Sequence, residues 1–270
     1  MKNSKLNTVP LLENSVCIIP APTPVDGADW KPEVNLQAKA IEQGMLDGMY
    51  ESALAIFEGN GFPKRPEIAI QMIRDAADAG HAGAQFFLGM LYSDGTLTHD
   101  FERALSLVKK SAAAGNADAQ ANLGAIFDLG LWGVQVDFDA AFAWYQKAAE
   151  QGEVRGQFNL GKMYQVGKGV PVNRELATSW FLKAAEQGHA GAQSNLGAFC
   201  EIDYAGKPEL AKAFSWYMKA AENGGPEGQC NLARAYLLGI GVPIDEQLGL
   251  MWLETAAENG SEHARKFLTR

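Results

Sequence analysis

EVRGQFNLGKMYQVGKGVPVNRELATSWFLKAAEQG, residues 153–188, spells out one complete structural unit. Gln157, Leu160 and Tyr164 fall at i, i+3 and i+7, the spacing of one helix face. Gly167-Lys168-Gly169-Val170-Pro171 then ends that helix, because glycine takes positive φ readily and proline cannot continue the hydrogen-bond ladder. Asn173 is placed to cap a second helix, whose packing stripe is Ala177, Trp180, Phe181, Ala184 and Ala185, and Gly188 closes it. The unit is helix, turn, helix, turn.

Outward from this stretch the same beat continues. Trp144, Trp180, Trp216 and Trp252 are 36 residues apart, and Gly44, Gly80, Gly115, Gly152, Gly188, Gly224 and Gly260 follow at steps of 36, 35, 37, 36, 36 and 36. A period of this length is the signature of stacked units sharing one continuous core. The cap slot of the second helix holds Asp100, Asp137, Asn173, Glu209 and Asp245, and four of these five suit the chemistry. Small pairs near the end of that helix (Ala76-Ala77, Ser111-Ala112, Ala148-Ala149, Ala184-Ala185, Ala220-Ala221, Ala256-Ala257) let neighbours approach closely. Gly89, Gly124, Gly161 and Gly197 sit inside first helices, where each costs about 1 kcal/mol in propensity. Tight backbone contact is the expected compensation.

The units run at about 45–80, 81–115, 116–152, 153–188, 189–224 and 225–260, with a flanking helix near 33–43 and a cap helix at 261–270. Residues 1–32 stand apart as a Pro-rich extended segment, carrying Pro10, Pro20, Pro22, Pro24 and Pro32. Its apolar run, Val16 to Ile19, is either docked on the first helices or part of a mobile linker.

Ala-Glu-Gln-Gly at 149–152 and 185–188, Trp-Tyr-x-Lys-Ala-Ala-Glu at 144–150, Ala192-Gln193-x-Asn195-Leu196-Gly197 and the Gly-x-Gly-Val-Pro turns recur together in register. In this the chain resembles the Sel1-like repeat family over roughly 45–270. Residues 45–80 match weakly, and the turn from Cys200 to Pro208 lacks the Gly-x-Gly-Val-Pro form. The resemblance implies an all-α, right-handed α-solenoid of about six helix-turn-helix repeats, related to tetratricopeptide arrays. It also implies a non-catalytic scaffold or adaptor for protein complexes, of bacterial origin. Secreted members clamp their helix pairs with disulfides, whereas Cys17, Cys200 and Cys230 form no such pairs and read as buried free thiols. A reducing cytoplasm is the expected compartment.

Composition narrows the partners. The net charge of −9 and a pI near 5.0, with no Lys/Arg-rich run, exclude nucleic acid as the expected ligand. No apolar stretch approaches the roughly 18 residues of a membrane span, and the amino-terminal apolar run is too short for a signal-peptide core. A protein or peptide partner is expected, bound by a monomer without membrane insertion, cofactor or metal. A partner can thus be classed but not named.

Candidate contact residues follow from the period. Asn122, Asn159, Asn195 and Asn231 each precede the leucine of a first helix, and side-chain amides in a row can grip an extended backbone. The plainer reading is that each amide satisfies a bond inside the solenoid. Lys162 and Arg234 lie three residues after Asn159 and Asn231, on nearly the same face, and would favour an acidic segment unless they are simply solvated. Phe86 and Phe158 read as core, as does the tryptophan series. Trp132, in the turn Gly130-Leu131-Trp132-Gly133, is either a contact residue or a staple for its loop.

Two rival readings remain. Ser106-Leu107-Val108-Lys109 has the S-x-x-K spacing of β-lactam and cell-wall-peptide hydrolases, and Ser93-Asp94-Gly95 distantly resembles another of their motifs, but no Lys-Thr-Gly follows. A secreted or surface-displayed host-interaction factor is the other. His81, His99, His189 and His263 show no metal-ligand spacing, and the glycine turns lack the Gly-Lys-Ser/Thr of a phosphate loop.

Overall fold

Capping chemistry fixes where each helix begins. In the computed structural model, which describes the backbone of residues 31–202 and 208–269 and side chains from residue 42 onward, Asp100, Asp137, Asn173 and Asp245 each accept the N–H three residues on, at 2.9 to 3.0 Å. Glu209 makes no such bond. The first helices have caps too, at positions the sequence reading did not assign: His81, Asn116, Glu153, His189 and Ser261. Gly225 replaces them once, followed by Pro226 at the first helical position, where a missing N–H is harmless.

The helices are α1 (Lys31–Glu58), α2 (Pro66–Asp78), α3 (Ala82–Ser93), α4 (Phe101–Ala113), α5 (Ala117–Leu129), α6 (Phe138–Glu150), α7 (Val154–Val166), α8 (Arg174–Glu186), α9 (Ala190–Glu201), α10 (Leu210–Glu222), α11 (Pro226–Leu238), α12 (Glu246–Glu258) and α13 (Glu262–Leu268). A 3-10 turn lies at Leu131–Gly133, and no strand occurs among the described residues. Residues 43–270 form one compact body and 1–42 another, of which only the opening of α1 is described. The extended segment expected at 1–32, with Val16 to Ile19 and Cys17, lies outside the described residues apart from Lys31 and Pro32. The turn from Cys200 to Pro208 is likewise only partly described.

From α3 on, each helix packs on the next, and first helices of neighbouring units also touch, as α5 on α7 and α9 on α11. Stacked pairs of this kind make the body an α-solenoid. One boundary differs from the sequence reading. The flanking helix near 33–43 and the first helix of the unit at 45 are one continuous helix, α1. Gly44 keeps the glycine beat but has no positive φ, whereas Gly80 and Gly115 turn the chain at 95° and 96°.

In the three units from 116 to 224 the core is built from a ring laid on a glycine. Tyr145, Phe181 and Tyr217 are fully buried and occupy one slot of the second helix. A Cβ added to Gly124 or Gly161 would meet the Tyr145 or Phe181 ring at 2.6 and 2.7 Å, and one on Gly197 would overlap Tyr217. Gly124, Gly161 and Gly197 are therefore compensated chiefly by aromatic packing, whereas Gly89 lies against Val108 and the Ala104 carbonyl, the close backbone approach expected. In the turns the two glycines of Gly-x-Gly-Val-Pro do different things. Gly167 takes φ 78° to end α7, while a Cβ on Gly169 would strike the Phe138 carbonyl of the preceding unit.

The His189 cap makes stability depend on pH. His189 Nδ1 accepts the Ala192 N–H at 3.1 Å, and its ring stacks on Phe158 with centroids 4.2 Å apart. Burial pulls this imidazole below its ordinary value, against the opposing pull of a backbone hydrogen bond and the Glu153 carboxylate. The unfolded chain therefore takes up the proton first as pH falls. The stabilisation is complete above the unfolded value of about 6.5 and is lost as pH drops through the lower folded value. Urea midpoints of wild type should decline between about pH 7 and 5, and His189→Asn, which keeps a cap without titrating, should decline less. Equal slopes would remove His189 from the account.

Candidate partner-binding site

The four asparagines stand on α5, α7, α9 and α11 and are half-buried. Their amides are used unequally. Asn122 Nδ2 donates to the Asp118 carbonyl and Asn195 Nδ2 to the Gly191 carbonyl, both at 2.8 Å and both back along the same helix. Asn231 Nδ2 donates to Ser194 Oγ at 2.9 Å, tying α11 to α9. Asn159 makes no hydrogen bond within the described residues, and no Oδ1 of the four accepts one. The ladder is thus a row of acceptors, with one complete amide at Asn159.

A different row of amides holds the units together, and the sequence reading passed over it. Gln85, Gln120, Gln157, Gln193 and Gln229, two residues before the asparagine slot, are buried. Each donates to the carbonyl eight residues back, from Ala77, Ala112, Ala149, Ala185 and Ala221, at 3.0 to 3.5 Å. Gln120, Gln157, Gln193 and Gln229 also accept from Gln151, Gln187, Asn223 and Asn259 at the end of the next second helix. Donor and acceptor of one side chain are therefore both satisfied, the donor bond reaching back to the preceding unit and the acceptor bond staying within the glutamine's own unit. The signal was in the sequence: Gln recurs at five slots, more regularly than Asn.

The two cations separate. Lys162 is exposed, with its Nζ 5.6 Å from the Phe158 ring and no carboxylate partner among the described residues. Arg234 is engaged: its Nη1 and Nη2 fork onto Glu201 at 2.7 and 2.6 Å, and the Tyr217 hydroxyl donates to the same carboxylate at 2.7 Å. The guanidinium bond holds Glu201 below the usual carboxylate range, while burial and that carboxylate push the Tyr217 phenol up. A cation matched in this way clamps α9, α10 and α11 and is not a free selector for acidic partners. Asn231 and Arg234 share a recess of about 510 Å³ with Leu237, Leu253 and Phe267.

Trp132 is half-buried at φ 56°, stacks on Phe101 at 6.1 Å and 12°, and packs against the cores of two units. It staples its loop. Trp144, Trp180, Trp216 and Trp252 are half-buried against core clusters, and the first three carry Lys147, Lys183 and Lys219 over their rings at 3.8 to 4.6 Å. Phe86 and Phe158 pack against the core. Cys200 and Cys230 are free, and both are half-buried rather than buried. Ser106 and Lys109 are exposed on α4 with no hydrogen bond between them. His81 and His189 cap helices, and no helix among the described residues is long and apolar enough to cross a membrane.

Capped helix pairs in register, joined by buried glutamines, define a helical-repeat protein of the solenoid class. A family model described as the Sel1 repeat matches residues 46–81, 82–116, 117–153, 154–189, 190–225 and 226–261, and the chain belongs to this family. Among solved structures it is similar to a protective antigen of uropathogenic Escherichia coli with an SLR fold, at 33% identity and TM-score 0.69, over 88% of this chain and half of that one. It is also similar to a Sel1 repeat protein from Oxalobacter formigenes, at 32% identity and TM-score 0.72, over 79% and 87% of the two chains. An immunity protein of Pseudomonas aeruginosa, at 21% identity and TM-score 0.51 over 80% and 82%, shares the fold alone. No curated protein matches the chain. Sel1 repeat proteins are generally protein-interaction scaffolds and are typically non-catalytic.

Proposed function

We propose that this protein is a non-catalytic adaptor that binds a protein or peptide along the face formed by its first helices between residues 116 and 240. The observation that carries the reading is the row of unengaged Oδ1 acceptors at Asn122, Asn159, Asn195 and Asn231, one per unit on neighbouring helices. Backbone N–H groups or cationic side chains of a partner would satisfy them, and the whole amide of Asn159 can both donate and accept. Lys162 is the exposed cation beside it. Affinity purification from the native organism with mass spectrometry, comparing wild type with Asn159→Ala/Asn195→Ala/Asn231→Ala after circular dichroism shows both folded, tests the face. A partner depleted at least tenfold from the variant is expected; one retained undiminished moves the interface elsewhere.

The bacterial sources of the similar chains support a bacterial home, and the cysteine usage supports a cytoplasmic one. The description of one similar chain as a protective antigen favours a second reading, a secreted or surface factor. Fractionation of native cells separates the two. A monomer is proposed, read by light scattering.

A further inference from the structure

Among the exposed apolar residues of the array, one set recurs in register with the repeat. Leu129, Val166, Ile202 and Leu238 end the first helices of four consecutive units, at steps of 37, 36 and 36 residues. Across each fully described turn lies a second apolar residue, Val136, Val172 or Ile244, and all seven side chains are between 51% and 65% exposed. Each pair is one rung: a Cβ on the intervening Gly130, Gly167 or Gly239 would meet Val136, Val172 or Ile244 at 3.0, 2.8 and 3.1 Å. The row begins sharply, since the same slot of the preceding unit holds Asp94. At the turns between units, around Gly115, Gly152, Gly188 and Gly224, no large apolar residue is exposed. A cation would suit the last residue of an exposed helix better, so water and the helix dipole do not account for the row. Exposed apolar residues gathered in this way, rather than occurring singly, mark an interaction site.

Each rung also falls seven residues after an asparagine of the acceptor row, hence two turns further along the same helix face. Three properties of the surroundings define an occupant. The first is pitch. Packed helices lie about 8–10 Å apart, and α5 touches α7 as α9 touches α11, so the rungs on these pairs recur at about that interval. Seven residues of α-helix rise about 10.5 Å, whereas an extended chain returns to one side at about 6.6 or 13 Å. The second is charge. Glu102, Asp139, Glu175 and Glu246 lie exposed in the first turns of second helices beside the row, and none has an ion-pair partner among the described residues. The other border carries the acceptor oxygens and the exposed Lys162, so cations are called for on the acidic flank and neutral donors on the asparagine flank. The third is a recess of about 540 Å³ beside the first rung, with Phe127, Val134 and Phe138 in its wall and Asp137 and Asp139 beside them. It has room for one large apolar side chain.

We propose that the occupant of the first-helix face is an amphipathic α-helix of a partner. It lies along the array with apolar residues at heptad spacing on the Leu129–Val166–Ile202–Leu238 row and Lys or Arg on the flank that faces the acidic first turns of the second helices. Its anchoring side chain enters the recess at Val134–Asp139. This rests on the reading of that face as the interface and adds the class of ligand it takes.

The probe is a labelled synthetic peptide of about three heptads, with leucine at the seam positions and lysine beside them, against the same residues in permuted order. Fluorescence anisotropy on the full chain should show the heptad peptide binding at least tenfold tighter than the permuted one. The difference should vanish in Val166→Glu/Leu238→Glu and shrink in Val166→Ser/Leu238→Ser. Both sites are exposed, so circular dichroism should match wild type, and melting should fall only slightly in the Glu variant, whose carboxylates oppose the helix dipole, and not in the Ser variant. Equal affinity for the two peptides, or no effect of either variant, overturns the inference. So does self-association of wild type that the same variants abolish, since a second copy would then cover the row. If the peptide result fails while partner capture still depends on the asparagines, the helix is wrong and the scaffold reading survives. Peptide binding as expected, with asparagine-independent capture, leaves the row and overturns the acceptor ladder alone.

Discussion

Phe181→Ala is expected to destabilise the array by about 3–5 kcal/mol, the cost of removing a large buried ring from a site that cannot collapse. Phe181 is fully buried, and its ring meets Phe158 of α7 at 5.9 Å and Phe199 of α9 at 5.8 Å, so it bonds its own unit to the next. Opposite it is Gly161, which has no side chain to move into the space. The helix ladder prevents the backbone from closing the gap. Urea unfolding followed by far-ultraviolet circular dichroism measures the effect. Because a solenoid's stability is a sum over units and interfaces, the loss should appear as a lower midpoint or as a split transition near α7–α9. A loss below about 1 kcal/mol would show that the ring-on-glycine packing carries little of the stability.

Gly197→Ala is expected to destabilise by about 1–3 kcal/mol, although helix propensity alone predicts a gain of about 1 kcal/mol. The added methyl would overlap the Tyr217 ring. That ring is fully buried and its hydroxyl is tied to Glu201 at 2.7 Å, so it cannot swing aside without breaking the bond that also orients Arg234. Gly48→Ala provides the opposite sign, since nothing lies within 4 Å of a Cβ at Gly48 in α1. It should stabilise by up to about 1 kcal/mol. The same urea experiment reads both, and a stabilising Gly197→Ala would mean that propensity, not packing, governs the first helices.

Much of the fold was legible because it is local. Caps at Asp100, Asp137, Asn173 and Asp245 act within three residues, and the turn at Gly167–Pro171 within five, so spacing alone reveals them. The beat misled at Gly44, where the period suggested a break but no cap or proline follows to turn the chain. The candidate site was legible only as a set of positions. Asn122, Asn159, Asn195 and Asn231 share one slot, yet their amides are spent differently, because a hydrogen bond depends on what the packing brings opposite. The roles of Arg234 and Trp132 were decided in the same way, by Glu201 from a neighbouring helix and by Phe101 from another unit's second helix.

By itself the sequence determined the period, the helix pairs, the family and the acidic character, because capping, turn chemistry and helical periodicity are written in residues a few places apart. Only the tertiary structure decided which amides bind units together and which face outward, which cation is already matched, and that Leu129, Val166, Ile202 and Leu238 form one exposed row. Those outcomes depend on burial and on partners about 30 residues away along the chain, and stacking alone sets such distances.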